Sequence, residues 1–186
     1  MPKVLIACAN GTEDSEFACV YDVLIRAGAE ITVAKVNEND KDTELSFITK
    51  YNLKVSAHKF IDDVKDQIFD MIICPGGHPN SVILGKNQIL VDMLKKQKQE
   101  GRWYAAICVA PYDVFEVNGL LEGEKGVGHP SYNRVKNEVN ERVVISNKCI
   151  TSQGPCTSFE FGFALAKLLF PKEEIEKLED FMRFKP

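Results

Sequence analysis

The chain has 186 residues, of which 45% are hydrophobic and 27% are charged, and this balance is typical of a single globular domain with a substantial core. Its formal net charge of -4 argues against a stable nucleic-acid partner, which would require a basic face. No apolar run reaches the roughly 18 residues that span a membrane, and the start, MPKVLIACANGTEDSE, does not resemble a secretory signal. We therefore expect one domain over residues 1–186, located in the cytoplasm, with no membrane partner.

The first part of the chain alternates short apolar runs with a helical pattern. The predicted elements are, in order, a buried strand at 3–9, a helix at 15–27, a strand at 30–36, a polar connection at 37–44, and short strands or a hairpin at 45–60. The strand at 3–9 has no polar alternation, as expected when both faces of a sheet are covered.

The same alternation continues to the end of the chain. The predicted elements are a strand with a glycine turn at 69–77, a helix at 87–99, a strand at 103–107 that leads into a helical run, a loop at 118–130, one strand or a bent pair at 142–152, a helix after Gly154-Pro155, and an acidic helix at 172–183. Such alternation favours parallel βαβ units, so we predict an α/β fold with one doubly wound sheet between helix layers.

Three predicted strands end in residues that are suited to chemistry. The first strand runs into the acidic segment NGTEDSE, the strand that begins at Phe69 runs into Pro75-Gly76-Gly77, and the strand at 103–107 runs into Cys108. Ligands of doubly wound sheets bind beyond the carboxyl ends of the strands. If these strands are neighbours, an acid, a glycine turn and a thiol converge there.

Cys108 has two interpretations at this stage. As a functional thiol at a helix start, it would be stabilised as a thiolate by the positive end of the helix dipole. The backbone N–H groups of Gly76, Gly77 and Val109 could then form an oxyanion hole beside it. As a structural residue, Cys108 would simply pack as a small hydrophobe.

The nearby acids and the other cysteines also have structural interpretations. Acids favour the first turn of a helix as caps or solvated charges, and this describes Glu13, Asp14 and Glu16. An acid beside a thiolate would instead be driven towards its protonated form and could donate a proton. Three further cysteines lie in strand-like apolar runs, and we expect them to pack in the core: Cys8, Cys74 and Cys149. Without CxxC spacing or clustered histidines, we expect no metal and no cofactor.

Five motifs occur in one order along nearly the whole chain: GTEDSE, CPGG, AAICVAP, GHP and SQGPCTSFEFGFALA. Together they resemble the DJ-1 family within the DJ-1/PfpI superfamily. The resemblance implies a flavodoxin-like fold, similar to class I glutamine amidotransferases, with a mostly parallel sheet between helix layers. It also implies a homodimer.

The resemblance assigns roles to individual residues. The reactive, low-pKa cysteine would be Cys108, and its protonated acid partner would be Glu16. His129 would assist in catalysis, and Asp22 would steady it from the first helix. Arg26 would reach toward the active site of the dimer partner.

Some residues depart from the family pattern. Val109 and Ala110 stand where many relatives have Ala-Gly, and both Gln153 and Lys50 stand where arginines occur. Cys156 replaces a glycine and adds a second thiol that could be oxidised. The peptidase branch has a histidine directly after its cysteine, and the amidotransferases have a downstream His-x-Glu. This chain has neither feature, so both activities are rejected.

Two functions follow from the resemblance, and a purely structural domain is the third alternative. The first is a glutathione-independent glyoxalase (a lyase) converting methylglyoxal to lactate, or a related deglycase (a hydrolase), either giving protection against oxidative stress. The second is a redox-sensing, chaperone-like protein with Cys108 oxidised to sulfinate and little turnover. The expected partners are a small aldehyde or glycated substrate and a second copy of the chain.

Overall fold

The structure, a computed structural model, describes residues 1–38 and 43–185. Its strands and helices are, in chain order, β1 (Lys3–Cys8), α1 (Asp14–Ala27), β2 (Glu30–Lys35), β3 (Ser46–Ile48), β4 (Lys54–Ser56), β5 (Lys59–Phe60), β6 (Met71–Cys74), α2 (Asn80–Lys86), α3 (Gln88–Gln99), β7 (Trp103–Ile107), β8 (Val143–Ser146), β9 (Cys149–Ser152), α4 (Ser158–Leu169) and α5 (Lys172–Met182). In the described part of the chain, no helix is long and apolar enough to cross a membrane.

Seven strands form one sheet in the order β5-β2-β1-β6-β7-β9-β8. All neighbouring pairs are parallel except β8 and β9, while β3 and β4 form a separate antiparallel hairpin. The chain builds outward from β1 to one side and then continues from β6 to the other. The strand order therefore reverses between β1 and β6, where doubly wound sheets place their ligand crevice.

Helices cover both faces of this sheet, which explains why β1 is apolar at nearly every position. Leu5 points into a core with Leu90 and Leu94 of α3, whereas Ile6 points into a core with Leu24 of α1 and Phe161 of α4. Each buried leucine or isoleucine contributes about 1.5–3 kcal/mol through removal of its apolar surface from water. The predicted α/β fold with a doubly wound, mostly parallel sheet is confirmed.

The structure settles one open prediction and differs from the local predictions in two places. Residues 142–152 contain the antiparallel pair β8 and β9, which is one of the two predicted alternatives. The helix α2 was not predicted, because its seven residues are too few for a clear helical period. The run after Cys108 is a π-helical turn, Pro111–Phe115, followed by a 3₁₀ turn, Glu116–Asn118, and not an α-helix. Part of the polar connection predicted at 37–44, namely residues 39–42, lies outside the described residues.

The three cysteines expected in the core lie there. Cys8 and Cys74 are fully buried and Cys149 is 1% exposed. Burial raises the pKa of all three thiols well above the ordinary value, so they remain neutral at physiological pH. The prediction of core packing is confirmed for these residues.

Candidate active site

The carboxyl ends of β1, β6 and β7 lie side by side at the point where the strand order reverses. They carry, respectively, the loop into α1 with Glu16 in its first turn, the turn Pro75-Gly76-Gly77, and Cys108. The predicted acid, glycine turn and thiol therefore converge.

Cys108 adopts an unusual backbone conformation at the end of β7. Its φ of 67° is in the left-handed region, which costs a residue with a side chain roughly 1–3 kcal/mol. Two backbone hydrogen bonds hold it there, because its N–H donates to the carbonyl of Ser152 at 3.0 Å and its carbonyl accepts from the N–H of His129 at 2.7 Å. This sharp turn resembles the nucleophile elbow that exposes a reactive side chain above a sheet.

A helical run follows Cys108, as a π-helical turn at 111–115 and a 3₁₀ turn at 116–118. The N–H of Val109, near the start of this run, favours the thiolate form of Cys108, but its effect is smaller than that of burial. Stabilisation of a thiolate by the helix start stays a prediction.

Glu16 is fully buried beside the thiol. Its backbone N–H donates to Oε2 of Glu13, the N-cap of α1, at 2.8 Å, and its own Oε2 accepts from the N–H of Gly76, also at 2.8 Å. The other oxygen, Oε1, is buried and has no nitrogen or oxygen partner among the described residues. The carboxyl of Glu16 and the thiol of Cys108 interact electrostatically beside Gly76, where a Cβ would lie 2.7 Å from both Oε2 of Glu16 and Cβ of Cys108.

Burial raises the pKa of Glu16 to about 7, and the charge of Glu13 adds to this effect. Hydrogen bonds from Cys108 and Gly76 and the charge of Lys50 oppose it. The direction agrees with the prediction of an acid that keeps its proton, but the main cause is desolvation and not repulsion by a thiolate.

Burial also raises the pKa of the Cys108 thiol, and the adjacent charge of Glu16 raises it further. This direction contradicts the predicted low-pKa cysteine. Because two buried groups that interact this strongly titrate as a pair, the first proton to leave creates one negative charge shared between them. A thiolate can therefore form when Glu16 holds the remaining proton.

The two glycines of the turn after β6, Gly76 and Gly77, have different roles. The N–H of Gly76 is already bonded to Glu16, so Gly76 is not available as the predicted oxyanion donor. The N–H of Gly77 has no acceptor in the described part of the chain, and Gly77 lines a cavity with Cys108 and Val109. Its φ is 87°, and a Cβ at this position would clash with the carbonyl oxygen of Gly11, so only glycine fits.

His129 lies next to the thiol across Gly154. A Cβ on Gly154 would be 3.2 Å from Cδ2 of His129 and 3.8 Å from Sγ of Cys108. Nδ1 of His129 accepts the N–H of Ser131 at 3.2 Å, so the neutral ring carries its proton on Nε2. In this tautomer the free edge of the ring is a hydrogen-bond donor.

The predicted supporting residues lie elsewhere. On the outer face of α1, the carboxylate of Asp22 accepts a hydrogen bond of 2.8 Å from Nε of Arg26, which lies one helical turn further along the helix. No hydrogen bond joins Asp22 to His129 within the described part of one chain, and the support of His129 by Asp22 stays a prediction. The guanidinium of Arg26 lies over the ring of Phe181 at 5.8 Å and does not enter the site of its own chain.

The thiol opens into a cavity of about 330 Å³, a size suited to a small ligand. Seven further residues line this cavity: Glu13, Lys50, Tyr51, His78, Ser131, Tyr132 and Pro155. Sequence reasoning named Glu13 among the acids of the first helix and Lys50 in place of an arginine, and assigned no role in the pocket to the other five. Most of them lie on loops and on the turn between β3 and β4, so no periodic pattern marks them.

The departures at 153 and 156 lie beside this cavity. Gln153 and Cys156 line an adjacent cavity of about 190 Å³ that shares His129 and Pro155 with the first. Cys156 is exposed, whereas Cys108 is 7% exposed.

Comparisons with known proteins agree with this architecture. Residues 2–168 match the family model of the DJ-1/PfpI family. Among curated proteins, DJ-1 homolog A of Arabidopsis thaliana is 36% identical over 98% of this chain, and glutathione-independent glyoxalase DJR-1.2 of Caenorhabditis elegans is 30% identical over 89% of this chain and 87% of its own length. The chain spans 47% of the length of the Arabidopsis protein. The structure of oxidized DJ-1 from Toxoplasma gondii superposes with a TM-score of 0.93 at 33% identity and covers all of both chains. The chain belongs to the DJ-1/PfpI family.

Proposed function

We propose that the protein is a glutathione-independent glyoxalase, which converts small α-oxoaldehydes such as methylglyoxal into 2-hydroxy acids. The observation that carries this proposal is the buried pair of Cys108 and Glu16 at the wall of a cavity of about 330 Å³. The pair combines a nucleophile with a carboxyl that can give and accept a proton near neutral pH. The name of the related C. elegans protein supports the same activity.

The reaction begins when the thiolate of Cys108 adds to the aldehyde carbon. The carbonyl oxygen takes up the proton held by Glu16, and a hemithioacetal results. The Glu16 carboxylate then removes the proton on C1 while the C2 carbonyl oxygen takes a proton from Nε2 of His129, which gives an enediol. Glu16 returns its proton to C2 while the C1 hydroxyl gives its proton back to Nε2 of His129, which produces a thioester of the 2-hydroxy acid. Water hydrolyses the thioester to release the acid and restore the thiol.

Two further groups are placed to assist. Gly77 and Val109 line the cavity next to the thiol, and the N–H of Gly77, which has no acceptor among the described residues, could stabilise negative charge on the substrate oxygen. Nε2–H of His129 could donate to the second carbonyl oxygen, because the bond from Ser131 fixes this tautomer. Removal of one such donor typically costs about 10²–10³ in rate.

The deciding experiment is turnover of methylglyoxal to lactate by the pure protein. We expect activity in the wild type and in Cys156→Ser, which retains the buried pair, and no activity in Cys108→Ser. Equal activity in Cys108→Ser, or none in the wild type, would refute the proposal. Deglycase activity uses the same thiol, and release of the free amine from a glycated peptide would test it on the same variants.

A second candidate is a redox sensor in which Cys108 is oxidised to a sulfinate, with a chaperone-like function as output. The observation in its favour is Oε1 of Glu16, which lacks a nitrogen or oxygen partner among the described residues and could donate a proton to a sulfinate oxygen. The T. gondii relative has been solved in an oxidized form. After peroxide treatment, mass spectrometry should find two added oxygen atoms at Cys108, and Glu16→Leu should reduce their retention.

A further inference from the structure

A carboxylate outside the reacting pair organises one wall of the cavity. Asp113 lies in the π-helical turn and its side chain is 9% exposed. Its Oδ2 accepts from the hydroxyl of Ser81 at 2.6 Å, and its Oδ1 accepts from the hydroxyl of Tyr132 at 3.1 Å. Nε2 of His78 lies 3.7 Å from the same carboxylate.

These contacts hold two rings against each other. The ring centroids of His78 and Tyr132 are 5.2 Å apart, and the ring of Tyr112 packs edge-on against Tyr132 at 6.2 Å. His78 and Tyr132 both line the cavity that contains Cys108, together with a third ring, Tyr51. We call His78, Tyr132 and Tyr51 the ring wall.

The ring wall takes no part in the proposed glyoxalase reaction. None of its members contacts the thiol or the carboxyl of Glu16, and methylglyoxal carries only a methyl group beyond its two carbonyls. Aromatic side chains interact with flat groups by offset stacking or edge contacts, which contribute about 0.5–1.5 kcal/mol beyond the apolar area that they bury. A wall that is fixed in advance by hydrogen bonds binds such groups without a further loss of conformational freedom.

The charges that line the cavity offset each other. Glu13 and Lys50 both line it, one negative and one positive. A neutral flat group requires no charged partner in such a cavity.

We infer that the ring wall, in which Asp113 holds His78 and Tyr132, selects α-oxoaldehydes that carry a neutral, flat substituent, such as an aryl group, over methylglyoxal. This inference rests on the proposed glyoxalase function and names the substrate class of that site.

The kinetic test compares phenylglyoxal with methylglyoxal. In the wild type, kcat/KM should be higher for phenylglyoxal. Tyr132→Ala should lower kcat/KM for phenylglyoxal about tenfold more than it lowers kcat/KM for methylglyoxal, mainly through KM. His78→Ala should act in the same direction. Tyr132→Phe keeps the ring and should retain most of the preference, and Ile68→Ala, at a 65% exposed position outside this cavity, is the neutral control.

A binding test makes the inference independent of turnover. Acetophenone, which is flat and unreactive, should slow the alkylation of Cys108 by iodoacetamide at lower concentrations than acetone, and Tyr132→Ala should abolish the difference. Equal protection by both ketones, or an equal loss of kcat/KM for both oxoaldehydes in Tyr132→Ala, would refute selection by the ring wall. Turnover of methylglyoxal would still support the proposed function in that case. Preferential protection by acetophenone without any turnover would refute the glyoxalase activity and support selection of flat groups by the ring wall.

Discussion

The backbone N–H of Gly76 donates a hydrogen bond of 2.8 Å to Oε2 of Glu16, across 60 residues of sequence. A Cβ at Gly76 would lie 2.7 Å from this oxygen and 2.7 Å from Cβ of Cys108. The glycine turn after β6 therefore serves as a spacer that lets the carboxyl and the thiol approach each other.

Gly76→Ala should separate the pair. Because an added methyl group cannot fit between Glu16 and Cys108, we expect kcat/KM for methylglyoxal to fall about a hundredfold. Gly126→Ala is the matched control, since a Cβ there would meet nothing closer than 3.5 Å. Similar kinetics in the two variants would show that the spacing set by Gly76 is unimportant for the reaction.

The buried carboxyl of Glu16 should make the stability of the protein depend on pH. Burial raises its pKa from 4.5 to about 7, so the folded state binds this proton more tightly than the unfolded state. The stabilising contribution is complete below pH 4.5 and is lost as the pH rises through about 7. A shift of this size corresponds to about 3 kcal/mol.

Urea unfolding of the wild type and Glu16→Gln between pH 4.5 and 8 measures this loss. The free energy of unfolding of the variant minus that of the wild type should rise with pH and level off above pH 7, because the variant lacks the titrating group. Other groups titrate equally in both proteins and cancel in the difference. A difference that does not change with pH would mean that Glu16 has an ordinary pKa.

The sequence was sufficient to predict the sheet and the convergence of the acid, the glycine turn and the thiol at one edge of it. Continuous apolar runs mark strands buried on both faces, and the carboxyl ends of parallel strands share one edge, so the positions after Cys74 and Ile107 could be placed together. The sequence could not show how strongly burial raises the pKa of Cys108, because burial depends on tertiary packing and not on a local pattern.

The ring wall could not be predicted for a related reason. Asp113, His78 and Tyr132 meet through tertiary contacts of separate segments, for which a single sequence has no periodic signal. Asp22 lies one helical turn from Arg26, and an opposite charge at this spacing is its partner within the chain. Its support of His129 stays a prediction.

We propose that the protein forms a homodimer through a surface that includes the outer face of α1. Within the chain this face carries the exposed pair Asp22 and Arg26 and the side chain of Ile25, which is 42% exposed. Light scattering at micromolar concentration should give twice the monomer mass of 20.9 kDa, and Ile25→Glu should shift the protein towards the monomer. A wild-type mass near 20.9 kDa would refute the dimer.

The reactivity of Cys108 should follow the titration of the pair. Two buried groups that interact strongly lose their protons in two steps that belong to the pair, and only the forms with a charged sulfur alkylate. The rate of alkylation by iodoacetamide, followed at Cys108 by mass spectrometry, should therefore depend on pH in two steps. A single step near the value of about 8.5 for an ordinary thiol would contradict the coupling.

Variants of Glu16 distinguish this shared proton from a simple buried thiol. Glu16→Gln retains a hydrogen-bond donor but has no proton to transfer, so methylglyoxal turnover should be lost while peroxide still oxidises Cys108. Glu16→Leu removes the donor as well. In both variants the alkylation of Cys108 should depend on pH in a single step, because Cys108 is then the only titrating member of the pair. If Glu16 acted only as an acid in the first turn of α1, neither variant would alter the pH profile of Cys108. The free energy of unfolding would then fall by about 1 kcal/mol or less.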